Sequence, residues 1–174
     1  MTDKATPTLI VRSISTTRDQ DAVSLAQRAG VQCVLGTGGH QGAVEVVLDK
    51  GEISIVHGPS GRPWTLDFST IDTRQGAGNL SRRQLLPTAI GREARSVLDA
   101  TAGFGHDAAL LSCMGYHVQA WERSPLIHAI LEDAIARASG DVGRHLSGQL
   151  TLRVGDAAKA LGTISPPPEV IYLD

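Results

Sequence analysis

The segment Asp99-Ala100-Thr101-Ala102-Gly103-Phe104-Gly105-His106-Asp107 holds residue types and spacings suited to ligand chemistry. It places a Gly-x-Gly turn between a short apolar run, Val97-Leu98, and a helix predicted to start at His106. Gly103 and Gly105 let a ligand approach the backbone without meeting a Cβ. The helix behind them offers free N–H groups and a partial positive end. Two ligand classes use such a turn: a dinucleotide rests its pyrophosphate there, and S-adenosylmethionine (SAM) rests its amino-acid end there. Gly103-x-Gly105-x-x-Ala108 fits the dinucleotide pattern. Asp99 weighs the other way, since a strand-end carboxylate attracts an ammonium or sulfonium and repels a pyrophosphate. Asp107 adds a second charge of the wrong sign for phosphate, although it also suits the first turn of any helix.

Three further acids stand where strands are predicted to end. Glu122 lies 17 residues past Gly105 and could accept both hydroxyls of a ribose, in either ligand class. Arg123 follows it and is either a lid on an adenine face or a surface arginine. Asp156 follows the third strand and could take the adenine amino group, or could simply cap the turn that begins at Ala157. Asp174 ends the fourth strand and the sequence, where an acceptor would hold the amine that receives a methyl group. The six histidines show no metal-ligand spacing, and Cys33 and Cys113 belong to no Cys-x-x-Cys pair, so no metal is expected.

The elements that must position these residues follow a strand–helix alternation from Arg95 onward. Ser96–Leu98, Tyr116–Trp121, Leu150–Val154 and Val170–Leu173 read as strands. His106–Met114 reads as a helix closed by Gly115. Pro125–Ala138 reads as a second helix with Ser124 as N-cap and apolar residues at helical spacing. Such alternation implies parallel strands with helical crossovers. Ahead of it, Ser81–Ile90 reads as a helix with capping-box spacing at Ser81 and Gln84 and a closing Gly91, but Pro87 demands a kink or a later start. The first part, to Thr73, reads as α+β. Its strands are Thr8–Val11, Val31–Leu35, Ala43–Leu48, Ile53–Val56 and Trp64–Phe68; its helix is Asp21–Ala29; turns fall at Asp49–Glu52 and Gly58–Gly61. The expected organisation is a small α+β domain (residues 1–73), an Arg-rich linker and helix (74–94) and a Rossmann-like ligand-binding domain (95–174).

Composition sets bounds on partners. The 174 residues are 41% hydrophobic and 20% charged, which suits a folded chain. No apolar run approaches a membrane span, the first residues lack a secretory pattern, and the two lone cysteines suit a reducing cytoplasm. The net charge of −2 is uneven: residues 74–95 carry five arginines and one acid, between two acidic flanks. Arg74, Arg82 and Arg83 in that band are candidate phosphate contacts, with a solvated linker as the plain alternative.

Asp99–Ala108, Trp121-Glu122-Arg123-Ser124-Pro125, the Leu131–Ala138 helix and Val170–Asp174 together resemble the ribosomal RNA small-subunit methyltransferase J family. The resemblance covers residues 74–174 well and the first 73 only loosely. It implies a class I methyltransferase sheet, SAM as cofactor, and methylation of a guanine N2 in 16S ribosomal RNA or the small subunit. It carries cofactor contacts onto His106, Asp107, Glu122, Arg123, Asp156, Ala157 and Asp174. The family usually has Leu and Arg where this chain has Phe104 and His106, so a guanidinium contact is absent. The family also continues past the position of Asp174 into further strands. The chain therefore reads as truncated, with one open sheet edge and no activity expected of this length alone. An NAD(P)-dependent oxidoreductase and a non-catalytic RNA-binding module are the two rival readings.

Overall fold

The computed structural model describes residues 8–40, 42–57, 61–74, 80–81, 83–91 and 93–174. The chain divides into two compact units, Met1–Leu66 and Asp67–Asp174.

In the first unit, β1 (Thr8–Ser13), β2 (Gln32–Leu35), β3 (Ala43–Leu48), β4 (Ile53–His57) and β5 (Trp64–Thr65) form one sheet in the order β2-β1-β3-β4-β5. β1 runs parallel to both β2 and β3, while β3, β4 and β5 pair antiparallel. Helix α1 (Asp19–Ala29) packs on β1 and β2 through Ala22, Leu25 and Ala26, and ends at Gly30 in the left-handed conformation a C-terminal glycine supplies. Trp64–Phe68 was expected to be one strand. Only Trp64–Thr65 pairs with β4; Leu66, 1% exposed, is buried past the strand end, and Phe68, equally buried, falls in the second unit. An ion pair lies inside this unit: Arg12 on β1 donates to Glu45 on β3, with both side chains almost fully buried.

The second unit holds a parallel sheet of β6 (Ser96–Asp99), β7 (His117–Glu122), β8 (Leu150–Val154) and β9 (Val170–Tyr172) in the order β8-β7-β6-β9. In chain order this is third, second, first, fourth, so the topology reverses between β6 and β9. Open sheets of this kind bind ligands at that reversal, beyond the carboxyl ends of the strands. Val97 and Leu98 on β6, Val118 and Ala120 on β7, and Leu111, Leu131 and Leu146 from the helices form the core. Helix α2 spans Leu85–Ile90, four residues shorter at its start than the Ser81 reading. Gln84 takes the N-cap position, so Pro87 falls in the first turn, where an N–H has no partner to lose. Helix α3 (His106–Cys113) follows the glycine turn. Helix α4 (Pro125–Arg137) starts at Ser124, whose Oγ accepts from the Ile127 N–H, 3.4 Å away. Helix α5 (Gly140–Gln149) was not anticipated. A short helix, α6 (Ala157–Ala160), precedes β9.

Residues 58–60 of the expected turn at Gly58–Gly61, residues 75–79 of the expected Arg-rich linker, and Arg82 lie outside the described residues.

Candidate functional site

The crevice is built from the ends of four parallel strands. Gly103 (φ 53°) and Gly105 (φ 71°) both occupy the left-handed region between β6 and α3. A Cβ on Gly105 would also stand 2.6 Å from Cδ1 of buried Leu131, so the turn packs directly on α4. The Gly105 N–H donates to the Ala102 carbonyl at 2.7 Å and closes the loop.

Glu122, at the end of β7, holds that loop in place. Its Oε2 accepts from the Gly103 N–H at 2.9 Å and its Oε1 from the Ser124 N–H at 2.6 Å. The side chain is 7% exposed and lines the crevice. Each carboxylate oxygen has two acceptor sites, so each can still take a ligand hydroxyl.

Asp99 ends β6 and is 2% exposed. Its Oδ1 accepts from the Thr101 N–H at 3.1 Å. Burial pushes its carboxyl from the ordinary 3.8 up to about 6, offset in part by that hydrogen bond and reinforced by the charges of Asp107, Asp174 and Glu122. Asp107 in the first turn of α3 accepts from the Tyr172 hydroxyl at 2.7 Å. The Asp174 N–H donates to Thr101 Oγ1 at 3.0 Å. Asp99, Asp107 and Asp174 therefore gather at the β6–β9 reversal.

The sign of the Asp99 effect is definite. A carboxyl whose folded pKa is raised makes the folded state hold more protons between the two values, so stability falls as pH rises. The contribution is fully present below 3.8 and lost by passage through about 6. Asp99→Asn is expected to be more stable than the unsubstituted protein at pH 7.5, by roughly 2–3 kcal/mol for a shift of about two units, and to lose that advantage near pH 4. Urea unfolding at the two pH values measures it; equal differences at both would show that folding does not raise the Asp99 pKa.

A cavity of about 580 Å³ lies beside these acids. Glu122, Arg123, Asp156 and Ala157 line it, with Trp121, Ile127, Leu161, Ile171 and Leu173 as apolar walls. That volume is in the range of cofactor sites, and a mostly apolar wall with a few polar groups is their usual make-up. Asp99, Gly103, Gly105, His106, Asp107 and Asp174 are not in its lining; they form the adjoining glycine turn and strand ends. Asp156 caps α6 by accepting from the Ala158 N–H at 3.0 Å, and its side chain stays 45% exposed. His106 is exposed and meets Phe68 edge-on, ring centroids 6.0 Å apart.

The sequence reading missed three groups: Thr101, Trp121 and Tyr172. The period-two alternation of β9 held the only signal, with Ile171 and Leu173 on one face and Tyr172 on the other. Among the candidate RNA contacts, Arg74 is exposed and paired with Asp72 at 2.5 Å, and Arg83 is exposed. Cys113 is buried, and burial pushes its thiol up to about 11. No group of three or more His, Cys, Asp or Glu among the described residues could hold a metal ion. No described helix is long and apolar enough to cross a membrane.

A parallel sheet reversed at its centre, a glycine turn at the reversal, and acids at successive strand ends define a Rossmann-like methyltransferase domain. Comparison with known proteins agrees. A family profile described as putative SAM-dependent methyltransferase matches residues 32–174, and the chain belongs to that family. Curated relatives named ribosomal RNA small subunit methyltransferase J include one from Nitrosococcus oceani, 37% identical over 141 residues, or 75% of this chain and 54% of the relative. Another, from Pectobacterium atrosepticum, is 45% identical over 80 residues, or 45% of this chain and 32% of the relative. The chain thus spans about a third to a half of the length of these relatives. The crystal structure of a SAM-dependent methyltransferase from Neisseria gonorrhoeae shares the fold, with a TM-score of 0.72 over 94% of this chain and 69% of that one, at 23% identity. The resemblance read from the motifs is borne out, and nothing here favours the oxidoreductase or the non-catalytic module.

Proposed function

We propose that this protein uses SAM to methylate a guanine N2 of 16S ribosomal RNA in the cytoplasm. The observation that carries the reading is the cavity lined by Glu122 and Asp156 with the buried, proton-sensitive Asp99 beside it. A crevice edged by carboxylates fits a ligand with a cationic sulfonium and an ammonium group, and fits a pyrophosphate poorly.

When bound, SAM supplies an activated methyl group. Glu122 accepts the ribose hydroxyls while it keeps the glycine turn closed. Asp156 and the backbone at Ala157 would serve the adenine edge, and Arg123, which also lines the cavity, would cover the adenine. Asp99 and Asp107, with Gly103, Gly105 and His106 of the turn, serve the amino-acid end. Trp121, Ile127 and Leu161 keep water off the ligand, which strengthens every charge interaction inside. Asp174, just past the end of β9, would accept the hydrogens of the guanine amine and so orient its lone pair. The catalytic gain is one of positioning, worth up to about 7–11 kcal/mol where geometry is good. A paired guanine must leave its stack first, at a cost of a few kcal/mol. Arg74, Arg82 and Arg83 hold the RNA backbone and offset part of that cost.

The relatives' printed name, ribosomal RNA small subunit methyltransferase J, supports the choice of substrate. The test is transfer of a labelled methyl group from SAM to 16S rRNA by a chain of the relatives' full length, followed by mapping of the modified base. Label on protein or small amines and none on rRNA would refute the substrate.

A further inference from the structure

Tyr172 is the last residue of an edge strand, and its hydroxyl is committed to a partner 65 residues earlier in the chain. It donates to Asp107 Oδ2 at 2.7 Å, linking β9 to the first turn of α3. Its neighbours Ile171 and Leu173 line the cavity, so Tyr172 lies where the wall of the crevice meets the glycine turn. A second link runs alongside, from the Asp174 N–H to Thr101 Oγ1 at 3.0 Å. The surroundings keep the phenol protonated: the bond to Asp107, burial, and the charges of Asp107, Asp174 and Asp99 all hold its proton on. Tyr172 therefore donates, and Asp107 accepts at Oδ2. A carboxylate held through one oxygen keeps the acceptor sites of the other for a ligand, in a fixed direction.

We propose that Tyr172 is a positioning residue for the amino-acid end of the ligand: its hydroxyl fixes the Asp107 carboxylate at the glycine turn so that Oδ1 meets the ligand's ammonium group. The inference rests on the adenosyl reading of the crevice and adds to it a group that never touches the ligand. It makes a selective claim, because the ribose and adenine contacts lie on Glu122 and Asp156, away from this pair.

The test measures binding of two probes by calorimetry: S-adenosylhomocysteine, which has the amino-acid end, and 5′-methylthioadenosine, which lacks it. Tyr172→Phe keeps the ring and removes the hydroxyl. It is expected to weaken S-adenosylhomocysteine about tenfold, the usual size for a hydrogen bond to a charged group, and to leave 5′-methylthioadenosine unchanged. Asp107→Asn should show the same selectivity, and the double variant should lose little beyond Asp107→Asn alone. Equal weakening of both probes would reduce Tyr172 to a structural role and overturn the proposal, as would no weakening of either. An unsubstituted protein that binds neither probe would instead overturn the adenosyl reading beneath it.

Discussion

Glu45→Ala is expected to destabilise the first unit by about 3–5 kcal/mol, the usual cost of removing one partner of a buried ion pair. Arg12 and Glu45 are 3% and 4% exposed on neighbouring parallel strands. Glu45 Oε1 also accepts from the His40 N–H at 2.8 Å, and Arg12 donates to the Gly38 carbonyl. Without the carboxylate, a guanidinium remains buried with its charge unbalanced. A domain of this size has about 5–15 kcal/mol of stability in total, so the loss is a large share of it. The second half of the prediction separates charge from packing. Replacing both residues, Arg12→Met with Glu45→Leu, should recover most of the loss, because well-packed apolar residues commonly match or exceed a buried pair. Chemical denaturation of the three proteins measures both effects. A double variant as unstable as Glu45→Ala would mean that the pair's hydrogen bonds to the Gly38–His40 loop matter more than its charge balance.

Glu122→Ala carries the largest expected effect on binding. It removes the acceptor of the Gly103 and Ser124 N–H groups, bonds of 2.9 and 2.6 Å, in a largely buried place. Each unpaired buried donor costs about 1–3 kcal/mol, so the glycine turn and the start of α4 both loosen. The ribose contacts proposed for the same carboxylate go with them. Affinity for S-adenosylhomocysteine should fall about a hundredfold or more, the equivalent of about 2.8 kcal/mol. Glu122→Gln keeps one acceptor oxygen and should lie between the two. Calorimetry on folded variants, with thermal melting alongside, separates lost contacts from lost fold. Unchanged affinity in Glu122→Ala would remove this carboxylate from the ligand site and leave it a purely structural clasp.

Much of the site was legible because its parts are local. The strand–glycine turn–helix unit from Val97 to Cys113 needs only an apolar run, two residues able to take positive φ, and a helical stretch after them. The start of α4 was equally plain, since Ser124 and Pro125 meet the cap and first-turn requirements within two residues. Helix α5 was hidden by its own composition. Gly140, Gly143 and Gly148 argue against a helix, because each glycine costs roughly 1 kcal/mol there. Burial of Val142 and Leu146 outweighs that propensity. At Gly143 the glycine is required, since a Cβ would stand 2.5 Å from the Ala138 carbonyl. Likewise, Pro87 left open either a kink or a start later than Ser81; the cap at Gln84 had to be seen.

By itself, then, the sequence determined the class of domain and the strand-end acids Asp99, Glu122, Asp156 and Asp174, because chain direction and side-chain period place a residue at a strand end wherever the strand runs. Only the tertiary structure decided what those acids do for the fold. Glu122 clasps the Gly103 N–H as well as the Ser124 N–H, Asp99 is buried deeply enough to push its carboxyl up to about 6, and Tyr172 reaches Asp107 in the first turn of α3. Hydrogen bonding and desolvation depend on which residues distant in the chain arrive within about 3 Å of one another, and spacing along the chain carries no record of that distance.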